Sequence, residues 1–340
     1  MKTKKEVLVT GGAGFIGSEL VRQLSALNFK ITILDNFTSG RKKYVENVPN
    51  VKIIKGDIIN RKLLDKIVKP VDYIINLAAL PFIPDSFFYP AEFFDVNTSG
   101  TINLVTACFN SKKLKKFVHI SSSEIYGSAL TVPMSEKHPT LPQSTYATSK
   151  LAADRAVFTL SKEHDFPSVI IRPFNSYGPR ITQPYIIPEI ITQLLRSNTV
   201  KLGNIESERD FTYVSDTASG LISAMLRDEC IGETINLGSG SSIKIKNIVK
   251  LTSKILNKKA IIKTDKNRLR PHDVQKLLCD NKKAKKLLKW KPEVSFEKGL
   301  EMTVDWMKSN KPDYATPFKG WPKANRMKLS NWVSSGYNKK

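Results

Sequence analysis

The stretch from Glu6 to Asp35, EVLVTGGAGFIGSELVRQLSALNFKITILD, decides the fold. A short apolar strand, Glu6 to Thr10, runs straight into Gly11-Gly12-Ala13-Gly14-Phe15-Ile16-Gly17, and good helix formers follow. Glycines at 11, 14 and 17 permit a tight turn, close approach of a ligand to the backbone, and close packing of the helix. The first helical turn then aims its N–H groups at an anion seated on the loop, which suits a pyrophosphate. The next strand, Lys30 to Leu34, ends in Asp35, eighteen residues after Gly17, where a carboxylate can accept from the ribose hydroxyls of an adenosine. A carboxylate there repels a 2′-phosphate, so NAD is expected in preference to NADP. Arg41 and Lys42 nearby soften that repulsion.

Further strands are expected at Val51 to Ile54 and Tyr73 to Leu77, with helices at about 61–68 and 91–109 between strands. This alternation implies an α/β fold, a right-handed, doubly wound parallel sheet. Strand ends in such a sheet carry the ligand contacts. The cofactor is therefore expected against Gly11, Gly14, Phe15, Ile16 and Gly17 at the loop, and against Asp35 and Asn36 at the adenosine. Asp57 and Ile58 would meet the adenine, and the small residues Ala78 and Ala79 after Leu77 would let it lie against the strand end. Asp57, Ala78 and Ala79 also read as plain turn chemistry.

Farther on, FVHISSSEIYG (Phe117 to Gly127) ends an apolar strand in three serines and a glutamate, delivering hydroxyls and a carboxylate to the same sheet edge. In STYATSK, Tyr146 and Lys150 stand four apart on one helical face. A free phenol has a pKa near ~10, and a neighbouring ammonium favours phenolate, which would bring Tyr146 toward use as a base for an alcohol proton.

With 340 residues, 41% of them hydrophobic and 25% charged, the chain can bury a substantial core. No run reaches the roughly 20 apolar residues of a membrane span. The N-terminus enters a strand and glycine loop instead of a signal-peptide core, so a cytoplasmic protein is expected. Cys108, Cys230 and Cys279 are widely spaced, which argues against a disulfide framework or a metal site. The net charge of +23 raises nucleic acid, anionic membrane or a phosphorylated small molecule as partners. From Lys244 to Lys291 there are 17 Lys/Arg against 3 Asp, without interleaved aromatics, and a solvated basic face is the preferred reading over a nucleic-acid surface.

TGGAGFIG, the Asp35 terminus, GDI, LAA, SSSEIYG, YATSK, RPFNSYGPR and RDFTYVSD, in this order over about residues 5–308, resemble the extended short-chain dehydrogenase/reductase superfamily of nucleotide-sugar epimerases and dehydratases. The resemblance implies a Rossmann domain (1–175 and 211–238), a smaller α/β substrate-binding domain (176–210 and 239–309), and a basic aromatic tail (310–340) holding Trp321 and Trp332. It implies NAD, with Pro173 near the nicotinamide, and a nucleoside-diphosphate sugar substrate. It also implies a homodimer through helices near 91–109 and 146–164. Lys150 would bind the nicotinamide ribose, Asn175 the sugar diphosphate, and Arg209 and Arg270 the phosphates, where a planar guanidinium suits paired oxygens. Each arginine could instead pair with a neighbouring acid, Asp210 or Asp273.

Tyr146, Lys150 and Ser122 alone suffice for a 4-epimerase. In the 4,6-dehydratases that the chain resembles, a Thr/Ser, Asp/Ser, Glu triplet precedes a hydrophobic residue and Tyr-Gly, and Ser122-Ser123-Glu124-Ile125-Tyr126-Gly127 fills it. Glu124 would then abstract the C5 proton of a 4-keto sugar. The segments ITQPYIIPEIITQLL and KLGNIESERDFTYVSDTASG resemble dehydratases of UDP-N-acetylglucosamine type, whereas LPFIPDSFFYP, residues 80–90, departs from them. A 4,6-dehydratase on a UDP-hexose is therefore expected, with a 4-epimerase and a UDP-glucuronate decarboxylase as alternatives. A catalytically idle nucleic-acid-binding member, or a scaffold using the tail, would be readings of another class.

Overall fold

The computed structural model describes residues 4–268 and 274–315. In chain order its strands are β1 (Glu6–Thr10), β2 (Lys30–Asp35), β3 (Val51–Lys55), β4 (Tyr73–Asn76), β5 (Lys116–Ile120), β6 (Ser168–Pro173), β7 (Asn175–Tyr177), β8 (Thr199–Leu202), β9 (Glu208–Tyr213), β10 (Thr234–Leu237), β11 (Ser242–Lys244) and β12 (Ile261–Thr264). The helices are α1 (Phe15–Ala26), α2 (Arg61–Ile67), α3 (Ile83–Ser86), α4 (Pro90–Phe94), α5 (Gly100–Cys108), α6 (Thr145–Glu163), α7 (Ile186–Arg196), α8 (Val214–Leu226), α9 (Ile245–Ile255) and α10 (Phe296–Ser309).

Seven strands form one sheet in the order β10-β6-β5-β4-β1-β2-β3, with every pair parallel. Because helices cover both faces, β4 and β5 are buried along their whole length, including the polar Asn76, Lys116 and His119 among their apolar residues. One face packs Leu20, Val21 and Leu24 of α1 and Leu221 and Met225 of α8. The other packs Leu64 of α2, Leu104 and Val105 of α5 and Val157 of α6. Strand order reverses between β1 and β4, and the crevice beyond their C-terminal ends is where such sheets bind ligands. The doubly wound Rossmann sheet expected from the alternation is the one observed.

The chain leaves this sheet after Pro173. β7, β9 and β11 make a three-stranded sheet, and β8 pairs with β12. Apolar faces of α7, α9 and α10 close a separate core around Ile190, Leu194, Ile248 and Val304. β9 pairs with β7 in this smaller layer, so the chain returns to the large sheet with α8 at Val214, slightly beyond the expected 211. α9 buries Ile248 and Val249 and exposes Lys250 and Lys254, as a solvated basic face requires.

The helix expected at 91–109 is continuous but contains a wide π turn, Asp95–Ser99, between α4 and α5. That turn carries the buried Asn97, whose Oδ1 accepts from Leu80 N at 2.8 Å while its Nδ2 donates to Ser149 Oγ of α6 at 2.9 Å. It thereby ties the start of the 80–90 segment to the helix bearing Tyr146. Of the tail, residues 310–315 are described, and Trp321 and Trp332 lie outside the described residues. No described helix is long and apolar enough to cross a membrane.

Candidate active site

A cleft of about 440 Å³ lies between the C-terminal edge of the large sheet and the smaller layer. Every site residue expected from the sequence lines it except Arg270, which lies outside the described residues.

Its floor is backbone. Gly11 has φ +69°, and a Cβ there would stand 2.8 Å from Ala78 N, so only glycine fits. Gly14 is the N-cap of α1 and contributes no capping side chain, which leaves the first-turn N–H groups to an anion. Asp35 accepts from Ala13 N at 2.9 Å through Oδ2 and from Phe37 N at 2.8 Å through Oδ1. Burial pushes its pKa up against those two bonds. Asp35 therefore shapes the glycine loop as well as facing the cleft. Asp57 accepts from Asn36 Nδ2 at 2.6 Å and from Ile59 N at 3.1 Å. The hydroxyls of Ser39 and Ser121 are buried in the lining without a hydrogen-bond partner. Unmatched hydroxyls, an uncapped helix and a backbone approach that tolerates no side chain together fit a dinucleotide.

β5 ends in the serines, and Ser122 caps the following turn, its Oγ accepting from Glu124 N at 3.2 Å. Ser144 caps α6 by accepting from Ala147 N at 3.1 Å, which places Tyr146 in the first turn. The Tyr146 hydroxyl hydrogen-bonds to Ser122, which lowers its pKa, but burial dominates and pushes it up to about 12, with the Glu124 charge adding to the rise. Glu124 and Tyr146 thus share one locality, with Ser122 between them, and Ser123 is buried beside them.

The sequence predicts that Lys150 tunes Tyr146 directly, and the geometry differs. Lys150 Nζ donates to Ile120 O at 2.5 Å, because the end of β5 offers a carbonyl within its longer reach. Burial brings its pKa down to about 8, opposed by Asp154 one turn along α6. Asp154 in turn receives Arg172 Nε at 2.9 Å and Nη2 at 3.0 Å. Arg172 Nη1 donates to Tyr126 OH at 2.9 Å, and Tyr126 donates to Asn236 Oδ1 at 2.6 Å. This buried network fixes α6 against β6 and β10 behind the site.

The facing wall is made of side chains. Asn175 Nδ2 reaches Asp210 O at 3.4 Å, and Arg209 Nη1 donates to Glu208 O at 3.0 Å. Sequence reasoning missed Tyr185, Phe82, Arg268 and Glu189, which also line the cleft. Tyr185 donates to Pro81 O at 3.3 Å and meets Phe82 edge to face at 5.9 Å. Burial, then the Tyr146, Asp85 and Glu124 charges, raise its pKa, which places its hydroxyl near those side chains. Its only sequence signal is its place after Pro184 at the start of an apolar helix. Arg268 donates through both Nη1 and Nη2 to Glu189 Oε1 at 3.0 Å, across 79 positions, and no local pattern announces such a pair.

Residues 8–303 match the family GDP-mannose 4,6 dehydratase, and the chain belongs to it, within the short-chain dehydrogenase/reductase superfamily expected from the motifs. A UDP-N-acetyl-alpha-D-glucosaminuronate decarboxylase of Bacillus cytotoxicus is 33% identical over 328 residues, 91% of this chain and 100% of the relative. A solved UDP-N-acetylglucosamine 4-epimerase from Methanobrevibacter ruminantium M1, in complex with UDP-N-acetylmuramic acid, has a TM-score of 0.83 at 33% identity, covering 90% of this chain and 99% of that one. The dTDP-glucose 4,6-dehydratase DesIV from Streptomyces venezuelae, solved with NAD and TYD bound, has a TM-score of 0.83 at 28% identity, covering 90% and 97%. Relatives of this one fold therefore span decarboxylation, epimerisation and dehydration.

Proposed function

We propose that this member of the GDP-mannose 4,6 dehydratase family is an NAD-dependent nucleotide-sugar 4,6-dehydratase acting on a UDP-hexose with an uncharged C6, such as UDP-N-acetylglucosamine or UDP-glucose. The observation that carries the reading is Glu124, held beside Tyr146 through their common partner Ser122. An epimerase needs only the tyrosine and the serine, whereas a carboxylate beside them can remove a C5 proton; a Ser-Glu pair also suits a decarboxylase, from which the charge of the cleft separates the reading. Charge supports a hexose over a uronate. Among the described lining residues the cations are Lys150, Arg209 and Arg268. Lys150 is engaged by the Ile120 carbonyl, Arg268 by Glu189 and Asp265, and Arg209 stands on β9 in the smaller layer. A substrate carboxylate at C5 would face Glu124, a like charge.

NAD, when bound, supplies the hydride acceptor at C4, the donor to C6, and a positive charge near Tyr146. Tyr146 takes the C4 hydroxyl proton while Ser122 hydrogen-bonds the same oxygen. The C4 ketone acidifies C5, and Glu124 removes that proton. Glu124 then passes it to the C6 oxygen as the C6–O bond breaks, the C5=C6 bond forms and water leaves. A proton drawn from solvent through Glu124 returns to C5. Asn175 and Arg209 bind the diphosphate. We further infer a homodimer through α4 to α6, where Phe94 and Phe158 are exposed.

Mass spectrometry of wild-type reactions with UDP-N-acetylglucosamine, UDP-glucose and UDP-glucuronate tests this reading, the expected product being substrate minus water. Glu124→Gln should oxidise C4 and stall, with NADH absorbance persisting in a single turnover. An isomer of unchanged mass would establish an epimerase, and loss of CO₂ a decarboxylase.

A further inference from the structure

The start of the tail crosses from the smaller layer to the cofactor loop. After α10, Ala315 is fully buried with its N–H on Thr182 O at 2.8 Å, and Tyr314 OH lies 3.5 Å from Thr192 Oγ1 of α7. Between these anchors and α10, Asp313 reaches the opposite wall. Its Oδ1 pairs with Arg41 Nε at 3.0 Å and its Oδ2 with Lys43 Nζ at 2.9 Å. Each carboxylate oxygen holds one cation.

The loop that carries those cations leaves the predicted adenosine ribose site at Gly40, and neither side chain lines the cleft while Asp313 holds it. Arg41 N donates to Ala13 O of the glycine loop at 2.9 Å. The preceding Gly40 lies so close to Asp35 that a Cβ there would sit 2.8 Å from Oδ1. In dinucleotide-binding folds a carboxylate at this strand end takes the ribose 2′-hydroxyl, whereas a nearby arginine accommodates a 2′-phosphate. This chain has both features. Without Asp313, Arg41 and Lys43 would outnumber Asp35 and offer a phosphate dianion two donors. With it, two carboxylates balance two cations, and the Arg41 side chain is only 18% exposed.

We propose that Asp313 is a specificity-determining residue that enforces NAD over NADP by occupying Arg41 and Lys43. The selection written at the end of β2 is completed by a residue from the tail. The inference rests on the cofactor part of the proposed function and is independent of which sugar reaction follows.

Full-length protein stripped of nucleotide over charcoal, titrated calorimetrically with NAD and with NADP, tests it. Asp313→Asn keeps the side-chain shape and should leave NAD affinity within about twofold while tightening NADP about fivefold, the size expected for freeing partly exposed charges. Arg41→Gln alone should leave NADP affinity unchanged, because Asp313 already holds that side chain. The double variant frees Lys43 alone and should lose most of the gain, closing a cycle in which positions 41 and 313 are coupled. Tyr314→Phe disturbs the same strap but keeps the carboxylate, and should match wild type. NADP affinity unchanged in Asp313→Asn, or a gain that survives Arg41→Gln undiminished, overturns the proposal. A melting curve and the NAD titration report whether each variant is folded. Wild-type protein that binds neither nucleotide would refute the cofactor reading itself, a result distinct from an unchanged preference.

Discussion

The wall of the cleft formed by the large sheet presents mainly backbone, whereas the facing wall presents side chains. On the first, Gly11, the uncapped start of α1 and the Ile120 carbonyl set the surface, and Asp35 is locked by two main-chain N–H groups. On the second, Asn175, Arg209, Tyr185 and the Arg268–Glu189 pair reach in from β7, β9, α7 and the segments beside them. A backbone wall can be rigid and shared by many relatives, so chemistry at fixed distances belongs there. A side-chain wall can be altered residue by residue, so substrate choice belongs on it. The comparison makes kinetic claims that single substitutions can break.

The largest effect is expected at Tyr146. Tyr146→Phe removes one hydroxyl from the sheet-side wall and, on the proposed mechanism, the acid–base step with it, so turnover should fall by roughly 10²–10⁴ with little change in KM. Steady-state kinetics on the substrate found by mass spectrometry would check it. A variant that keeps its turnover but loses affinity would mean that the sheet side binds instead of reacting.

Lys150 tests the first wall at its base, where its buried Nζ donates to the Ile120 carbonyl. Its amine loses its proton near pH 8 in the folded protein, against 10.5 as the ordinary value. Between those values the unfolded chain binds more protons, so stability should rise with pH across that window. Lys150→Met abolishes this dependence on pH. The wild type should gain on the order of 3 kcal/mol relative to the variant between pH 7.5 and 10.5, taking ~1.4 kcal/mol per pH unit. At pH 7 the methionine variant should be the more stable protein while losing activity. Urea melts across the pH range measure both, and parallel curves would mean that Lys150 stays charged in the fold.

The same contrast explains what the sequence made legible. The sheet and its cofactor edge were readable because each requirement is local: a strand entering glycines 11, 14 and 17, an acid at the end of β2, a Tyr and Lys one turn apart. Backbone geometry restricts residue type at fixed spacing, and that restriction is visible in a linear chain. Lys150 was placed correctly on its helical face, yet its partner was missed because side-chain reach toward a neighbouring strand has no period. Arg268 and Glu189, or Asp313 and Arg41, meet across separations that no window of sequence contains. Arg209 stands out in the motif RDFTYV, whereas Tyr185 lies inside ITQPYIIPEIITQLL with nothing there to single it out from its neighbours.

Arg209 gives the smallest expected effect and the sharpest test of the second wall. It extends from β9 in the smaller layer and lines the cleft, with Nη1 on its neighbour's carbonyl. If it binds a diphosphate that is unchanged through the reaction, its interaction is equal in ground and transition states. Arg209→Ala should then raise KM and leave kcat alone. Hydrogen bonds to a charged partner are worth about 1.5–3 kcal/mol, which corresponds to a rise in KM of roughly 10–100-fold. Arg209→Lys should recover only part of this, since an ammonium keeps the charge but cannot present two parallel donors. Free UDP should lose affinity by the same factor, because the missing contact lies on the part of the substrate that UDP shares. If kcat falls instead while UDP binds normally, Arg209 acts at the sugar, and the division between a reacting wall and a binding wall fails at the residue best placed to uphold it.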